Sequence, residues 1–181
     1  MVDYFSDESG VPQSVKEFIL SSSVPLSISN ALPDDSPLVG VNSSFCTLTG
    51  YSPAEVLGRN CRFMQPAAKK PPVCASIRAF LRDNEPNSKR FVIPNLRKDG
   101  SRFVNVLYIS KIEQNGVVTH YLGSQFDFTK YGQAGIDIYE AALKTDLVNL
   151  NSLSNQMGWI FLGSFDALST SQTLIAHAKF D

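Results

Sequence analysis

The spacing of apolar side chains changes character several times along the chain, and each change marks an element. Val15, Phe18 and Ile19 fall at helical spacing behind Pro12, which suits a first helical turn, so residues 12–22 predict a short helix. From Val24 the pattern alternates: Val24, Leu26 and Ile28 are separated by small polar residues, the signature of a strand. Two prolines and two aspartates within residues 30–37 demand a turn, and residues 38–41 read as a second short strand. Residues 43–49 and 53–57 are short helical pieces, each closed by a glycine (Gly50, Gly58). A longer helix is predicted over 72–83, with Val73, Ile77, Phe80 and Leu81 on one face. Three β-rich runs follow, over 91–96, 103–112 and 117–128, separated by Asp99-Gly100 and Asn115-Gly116. Such dipeptides between apolar runs are the strongest short-range hairpin signals. Beyond Lys130, Ile136, Tyr139, Leu143, Leu147, Leu150, Leu153 and Met157 recur every three or four residues, an apolar stripe on one or two helices. Gly163 is expected to end it, and Phe165, Leu168, Ile175 and Ala178 suggest a second short helix. The whole reads as α+β: a five-stranded antiparallel sheet with short helices between its second and third strands.

Composition narrows the functional classes. With 43% hydrophobic and 10% aromatic residues in 181, the chain has the material for one core plus a modest extension. Sixteen basic against seventeen acidic residues leave a net charge of −1, which argues against a nucleic-acid binder and against a polybasic membrane anchor. No apolar run approaches the roughly 20 residues of a membrane span, and the acidic, Ser-rich start shows no signal-peptide pattern. A cytoplasmic protein is expected. The three cysteines, Cys46, Cys61 and Cys74, are an odd number without metal-ligand spacing, so neither a disulfide framework nor a metal site is expected. Cys46 and Cys74 read as packing residues.

One octapeptide concentrates chemistry: Gly58-Arg59-Asn60-Cys61-Arg62-Phe63-Met64-Gln65. Flanking arginines would lower the pKa of the Cys61 thiol and favour a nucleophile, whereas a core cysteine beside surface arginines is the plainer alternative. This stretch resembles the motif G-x-N-C-R-F-L-Q of the LOV blue-light photoreceptors, a branch of the PAS fold. Methionine replaces leucine at the seventh place and keeps the bulk. The resemblance extends over residues 24–129, leaving 1–23 as an N-terminal helical extension and 130–181 as a C-terminal one with a dimerising role.

The resemblance implies a flavin, normally FMN, in a pocket between sheet and short helices. Arg62 and Arg78 match the phosphate-binding arginines, and guanidinium suits a phosphate because it binds bidentately. Gln65 and Asn60 match residues along the ribityl chain. Asn95 and Asn105 match the strand asparagines that face the pyrimidine edge, where an amide can both donate and accept. Leu107 and Ile109 match apolar positions lining the ring, Ser29 a position close to it, and Gln125 the glutamine near flavin N5. Glu55 and Lys98 match a surface ion pair. The implied mechanism is a light-driven, reversible bond from Cys61 to flavin C4a, after which the Gln125 amide reorients and the signal leaves along the last strand. Residues 130–181 carry three basic against five acidic residues, a poor DNA reader, and no fused output domain is expected. A homodimer through the helical extensions and a separate downstream signalling protein are expected, with no substrate turnover. The apolar stripe could be covered by the chain's own sheet or by a second copy. A flavin-based redox sensor, a thiol-dependent flavoenzyme and a flavin-free PAS interaction module are the alternatives.

Overall fold

The computed structural model describes residues 2–67, 70–83 and 88–162. In chain order the elements are α1 (Gln13–Ser21), β1 (Leu26–Asn30), β2 (Leu38–Val41), α2 (Ser43–Thr49), α3 (Pro53–Val56), a 3-10 turn (Cys61–Met64) and α4 (Val73–Arg82). There follow β3 (Ser88–Leu96), β4 (Arg102–Gln114), β5 (Val117–Asp127), α5 (Phe128–Asn155) and β6 (Trp159–Leu162). The strands form one antiparallel sheet in the order β2-β1-β5-β4-β3, with β6 also on β4.

The two glycine turns act as their chemistry requires. Asn115 and Gly116 both take positive φ, 52° and 79°, as a type I′ hairpin turn demands. Asp99 accepts the Ser101 N–H at 2.8 Å beside Gly100, itself at φ 82°. Asn42 closes the β2–α2 corner. Its Oδ1 accepts from Leu26 N and Phe45 N, each at 3.0 Å, and its Nδ2 donates to the carbonyls of Ile19, Ser22 and Val24. One buried side chain thereby caps α2 and ties it to β1 and the end of α1.

Period-two alternation sorts the strands onto two faces. Leu26, Ile28, Val106, Tyr108, Ile112, Leu122 and Phe126 join Val15 and Ile19 of α1 and Ile136, Tyr139, Leu143, Leu147 and Leu150 of α5 in the main core. The apolar stripe of α5 is therefore covered by the chain's own sheet. Each fully buried leucine or isoleucine on it is worth about 1.5–3 kcal/mol. The opposite face receives α2, α3, the 3-10 turn and α4, with smaller apolar clusters around Phe45 and Phe80.

The C-terminal part differs from the sequence expectation. The helix ends at Asn155, and the break comes at Gly158, which takes φ 72°, ahead of the expected Gly163. Met157 lies beyond the helix and is partly exposed. Trp159–Leu162 then makes a sixth strand, where five were expected, pairing Lys111–Gln114 of β4 beyond the point at which β3 begins. Trp159 is buried against His120, ring centroids 4.7 Å apart. Within α5, Gly132 (φ 57°, ψ −159°) interrupts the helical backbone. The short helix expected around Phe165 to Ala178 lies outside the described residues. No described helix is long and apolar enough to cross a membrane.

Candidate functional site

Between the sheet and the short helices lies an inner chamber of about 120 Å³. Ser27 and Ser29 of β1, Asn95 of β3, Asn105, Leu107 and Ile109 of β4, and Gly123 and Gln125 of β5 face it, together with Asn60, Cys61, Arg62 and Gln65. The strand residues share a face by register: Leu107 lies opposite Gln125, Ile109 opposite Gly123, and Ser27 opposite Gly123 from the other side. An outer chamber of about 490 Å³ is lined by Asn60, Arg62, Gln65 and Tyr121, which it shares with the inner one, and by Lys70, Arg78 and Arg82. Every sequence-predicted site residue thus borders these two chambers, Arg78 only the outer one.

The 3-10 turn sets the thiol. Asn60 caps it, accepting Arg62 N–H at 2.9 Å while its Nδ2 donates to the Asp35 carbonyl at 2.5 Å. Both flanking arginines are held elsewhere: Arg59 donates to the Glu55 carbonyl at 3.0 Å and lies over the Phe63 ring, and Arg62 pairs with Asp35 at the surface. The thiol of Cys61 is therefore not activated, contrary to the expectation from its neighbours. Enclosure pushes its pKa up from 9.0 to about 12, and a hydrogen bond with Ser27 opposes the rise only in part.

Ser27 is the residue the sequence reasoning missed. Its hydroxyl accepts from Gln125 Nε2 at 3.1 Å, and it lines the same chamber as the Cys61 thiol. The strand alternation held the signal, since Ser27 and Ser29 fall on the face opposite Leu26 and Ile28. Gly123 belongs to the same corner: a Cβ there would lie 2.8 Å from Ser27 Oγ and 3.0 Å from Gln125 Nε2.

The remaining polar groups form a buried chain. Phe126 N–H donates to Asn105 Oδ1 at 3.2 Å, Asn105 Nδ2 donates to Asn95 Oδ1 at 2.9 Å, and Asn95 Nδ2 donates to the Met64 carbonyl at 3.3 Å. Gln125 is 1% exposed, yet its Oε1 has no hydrogen-bond partner among the described atoms. A buried acceptor left over beside apolar walls is a place for a ligand with a polar edge. Buried amides, an orphaned carbonyl oxygen, apolar walls and a cationic outer chamber together fit a flavin.

Outside the chamber wall, Cys46 is half-buried against the Phe45 cluster. Cys74 lies on the first turn of α4 and lines the outer chamber, where Arg78 and Lys70 oppose the upward push of burial on its thiol. Lys98 pairs with Glu55 at 2.6 Å, and with Ser52 it holds that carboxyl at about 2. Among the described residues no group of three His, Cys, Asp or Glu side chains could hold a metal ion.

Comparison with known proteins agrees with this geometry. The family model described as PAS domain matches residues 26–130, more than half of the chain. Over 124 residues the chain is 37% identical to Phototropin-2 of Oryza sativa subsp. japonica, covering 67% of this chain and 13% of that protein. Over 109 residues it is 38% identical to a blue-light-activated histidine kinase of Rhizobium johnstonii, covering 60% of this chain and 31% of the kinase. The chain thus spans less than a third of the length of either relative. Among solved structures, the d2 variant of RsLOV superposes with a TM-score of 0.76 at 25% identity, covering 92% of this chain and 97% of that one.

Proposed function

The chain belongs to the PAS domain family and, within it, to the LOV blue-light photoreceptors, and from that membership we propose that it senses blue light through FMN held in the inner chamber and a reversible bond from the Cys61 sulfur to flavin C4a. The observation that carries this reading is that Cys61, Ser27 and Gln125 line one chamber, with Gln125 donating to the Ser27 hydroxyl at 3.1 Å and the buried amides Asn95 and Asn105 facing the same space. Bound there, the flavin supplies blue-light absorption, a ring carbon for the sulfur and an adjacent nitrogen, N5, for the thiol proton.

The chain's own residues do the rest. Cys61 keeps its proton in the dark, and a neutral thiol is a poor nucleophile, so the resting state is stable without light. Asn95 and Asn105 hold the polar ring edge, and Leu107 and Ile109 flank the ring face with Ser29 at the wall. Arg62 and Arg78, with Gln65 and Asn60, take the ribityl chain and phosphate in the outer chamber. Arg62 must then exchange or share its pairing with Asp35.

Gln125 presents a donor or an acceptor according to the turn of its amide, and inverting one buried hydrogen bond is worth about 1–3 kcal/mol. That is the scale of an allosteric coupling. The cycle returns to its start and turns over no substrate, so the protein is a sensor and not an enzyme. Output passes from β5 to α5 and to a homodimer formed through the helical extensions, from which a separate signalling protein reads it in the cytoplasm. Support for the dimer comes from Tyr131, Ile138 and Val148, which remain exposed along α5 after its inner stripe is covered.

Purified protein is expected to be yellow, to release FMN on denaturation, to lose its blue absorption band under blue light and to regain it in darkness. Cys61→Ala is expected to keep the colour without bleaching. Colourless protein would leave a PAS interaction module, release of the dinucleotide would correct the cofactor, and bleaching that needs an added reductant would leave a redox sensor.

A further inference from the structure

β5 delivers alternate side chains to opposite faces of the sheet. Gln125 enters the chamber, while its neighbours Ser124 and Phe126 face α5. Both neighbours meet the same residue. The Ser124 hydroxyl shares a hydrogen bond with the Tyr139 hydroxyl, and the Phe126 ring lies 4.8 Å from the Tyr139 ring at an interplanar angle of 32°. Tyr139 is 7% exposed and sits in the buried stripe of α5. It therefore grips β5 on either side of Gln125, through the thickness of the sheet. The next residue, Glu140, pairs with Arg90 of β3 at 2.5 Å, so the same helical turn is pinned to a second strand.

The chemistry of this contact sets it apart from its surroundings. Ile136, Leu143, Leu147 and Leu150 hold α5 by apolar packing, which tolerates sliding. A bond between two buried hydroxyls is directional, and water does not replace it when the strand shifts. Phenylalanine would fill the same space without a hydroxyl to satisfy.

We propose that Tyr139 is the positioning residue that transmits the state of Gln125 to α5. The proposal rests on the photoreceptor reading above. When the Gln125 amide turns, its bond to Ser27 changes and the β5 backbone adjusts at Ser124 and Phe126. The Ser124–Tyr139 bond then breaks or re-forms at a new angle, while the Phe126 stack keeps the helix attached.

The test uses the full chain with its cofactor, as wild type, Tyr139→Phe, Ser124→Ala and the double variant. Three quantities are read in dark and light: the blue absorption band, amide hydrogen exchange along α5, and the tyrosine C–OH band in the light-minus-dark infrared spectrum. In the wild type, light is expected to speed exchange around residue 139 on the order of tenfold, the middle of the usual coupling range, and to shift the tyrosine band. Tyr139→Phe is expected to bleach and recover as before, to keep the dark exchange pattern, and to lose most of the light effect together with the infrared shift. Ser124→Ala removes the same bond from the strand side and should match it, with the double variant no worse than either. Bleaching with an undiminished exchange effect in Tyr139→Phe and Ser124→Ala would overturn the proposal alone. Absence of bleaching in the wild type would overturn the photoreceptor reading and this proposal with it.

Discussion

At Cys61, burial outweighs sequence neighbourhood. Two adjacent arginines suggest an activated thiol, yet the 3-10 turn sends Arg59 to Phe63 and Arg62 to Asp35, and enclosure raises the thiol to about 12. Adduct formation is therefore expected to keep the same amplitude from about pH 6 to 9, because the same neutral thiol is present throughout. An absorbance titration of illuminated protein checks this. The linked effect on stability has a definite sign. The folded pKa lies above the ordinary 9.0, so the unfolded chain ionises first, and stability present below 9.0 is lost as pH rises toward about 12. Cys61→Ala should flatten that alkaline decline in denaturant titrations. Asn42 makes the opposite kind of contribution, with five hydrogen bonds from one buried amide. Asn42→Ala orphans several backbone groups and is expected to lower stability by about 2–4 kcal/mol in urea unfolding. Ser27 marks the limit of reading residues singly: a serine in an alternating strand looks solvent-facing until the opposite face is known to hold a chamber.

Among the elements, those with strong local chemistry were legible and those fixed by tertiary pairing were not. The hairpins at Asp99-Gly100 and Asn115-Gly116, the glycine closing α2, and the α5 stripe all follow from local rules. β6 does not, because four apolar residues show no period, and only the stretch of β4 beyond β3 makes them a strand. The helix end was misplaced for a related reason, as Met157 continues the apolar spacing although the chain has already left the helix. Trp159→Ala should lower stability by about 3–5 kcal/mol, since it removes a buried aromatic side chain from the core. The Arg90–Glu140 pair gives a sharper test of how α5 is held. The Arg90 side chain is 1% exposed, and its Nε and Nη2 lack hydrogen-bond partners among the described atoms. Glu140→Ala strands that charge and should cost about 3–5 kcal/mol, whereas replacing both residues by methionine should be neutral or stabilising. Thermal and urea unfolding of the two variants separate these outcomes.

For the molecule as a whole, the sheet is the partition that a signal must cross. One face carries the chamber, the other carries α1 and α5, and alternation along β5 puts Gln125 and its two neighbours on opposite sides of it. The motif and the strand amides made the chamber legible in advance, but which helix faces meet which strands emerged only from the packing. The outer surface of α5 should carry the proposed dimer, so Ile138→Asp is expected to shift sedimentation toward a monomer while leaving bleaching unchanged. The most direct measurement is the S–H stretching band in the light-minus-dark infrared spectrum of the wild type and of Cys61→Ala. A neutral thiol consumed by light predicts loss of one S–H band on illumination, its return in darkness, and no such loss in Cys61→Ala. Bleaching of the wild type with every S–H band unchanged would contradict the assignment of Cys61 as the light-reactive group.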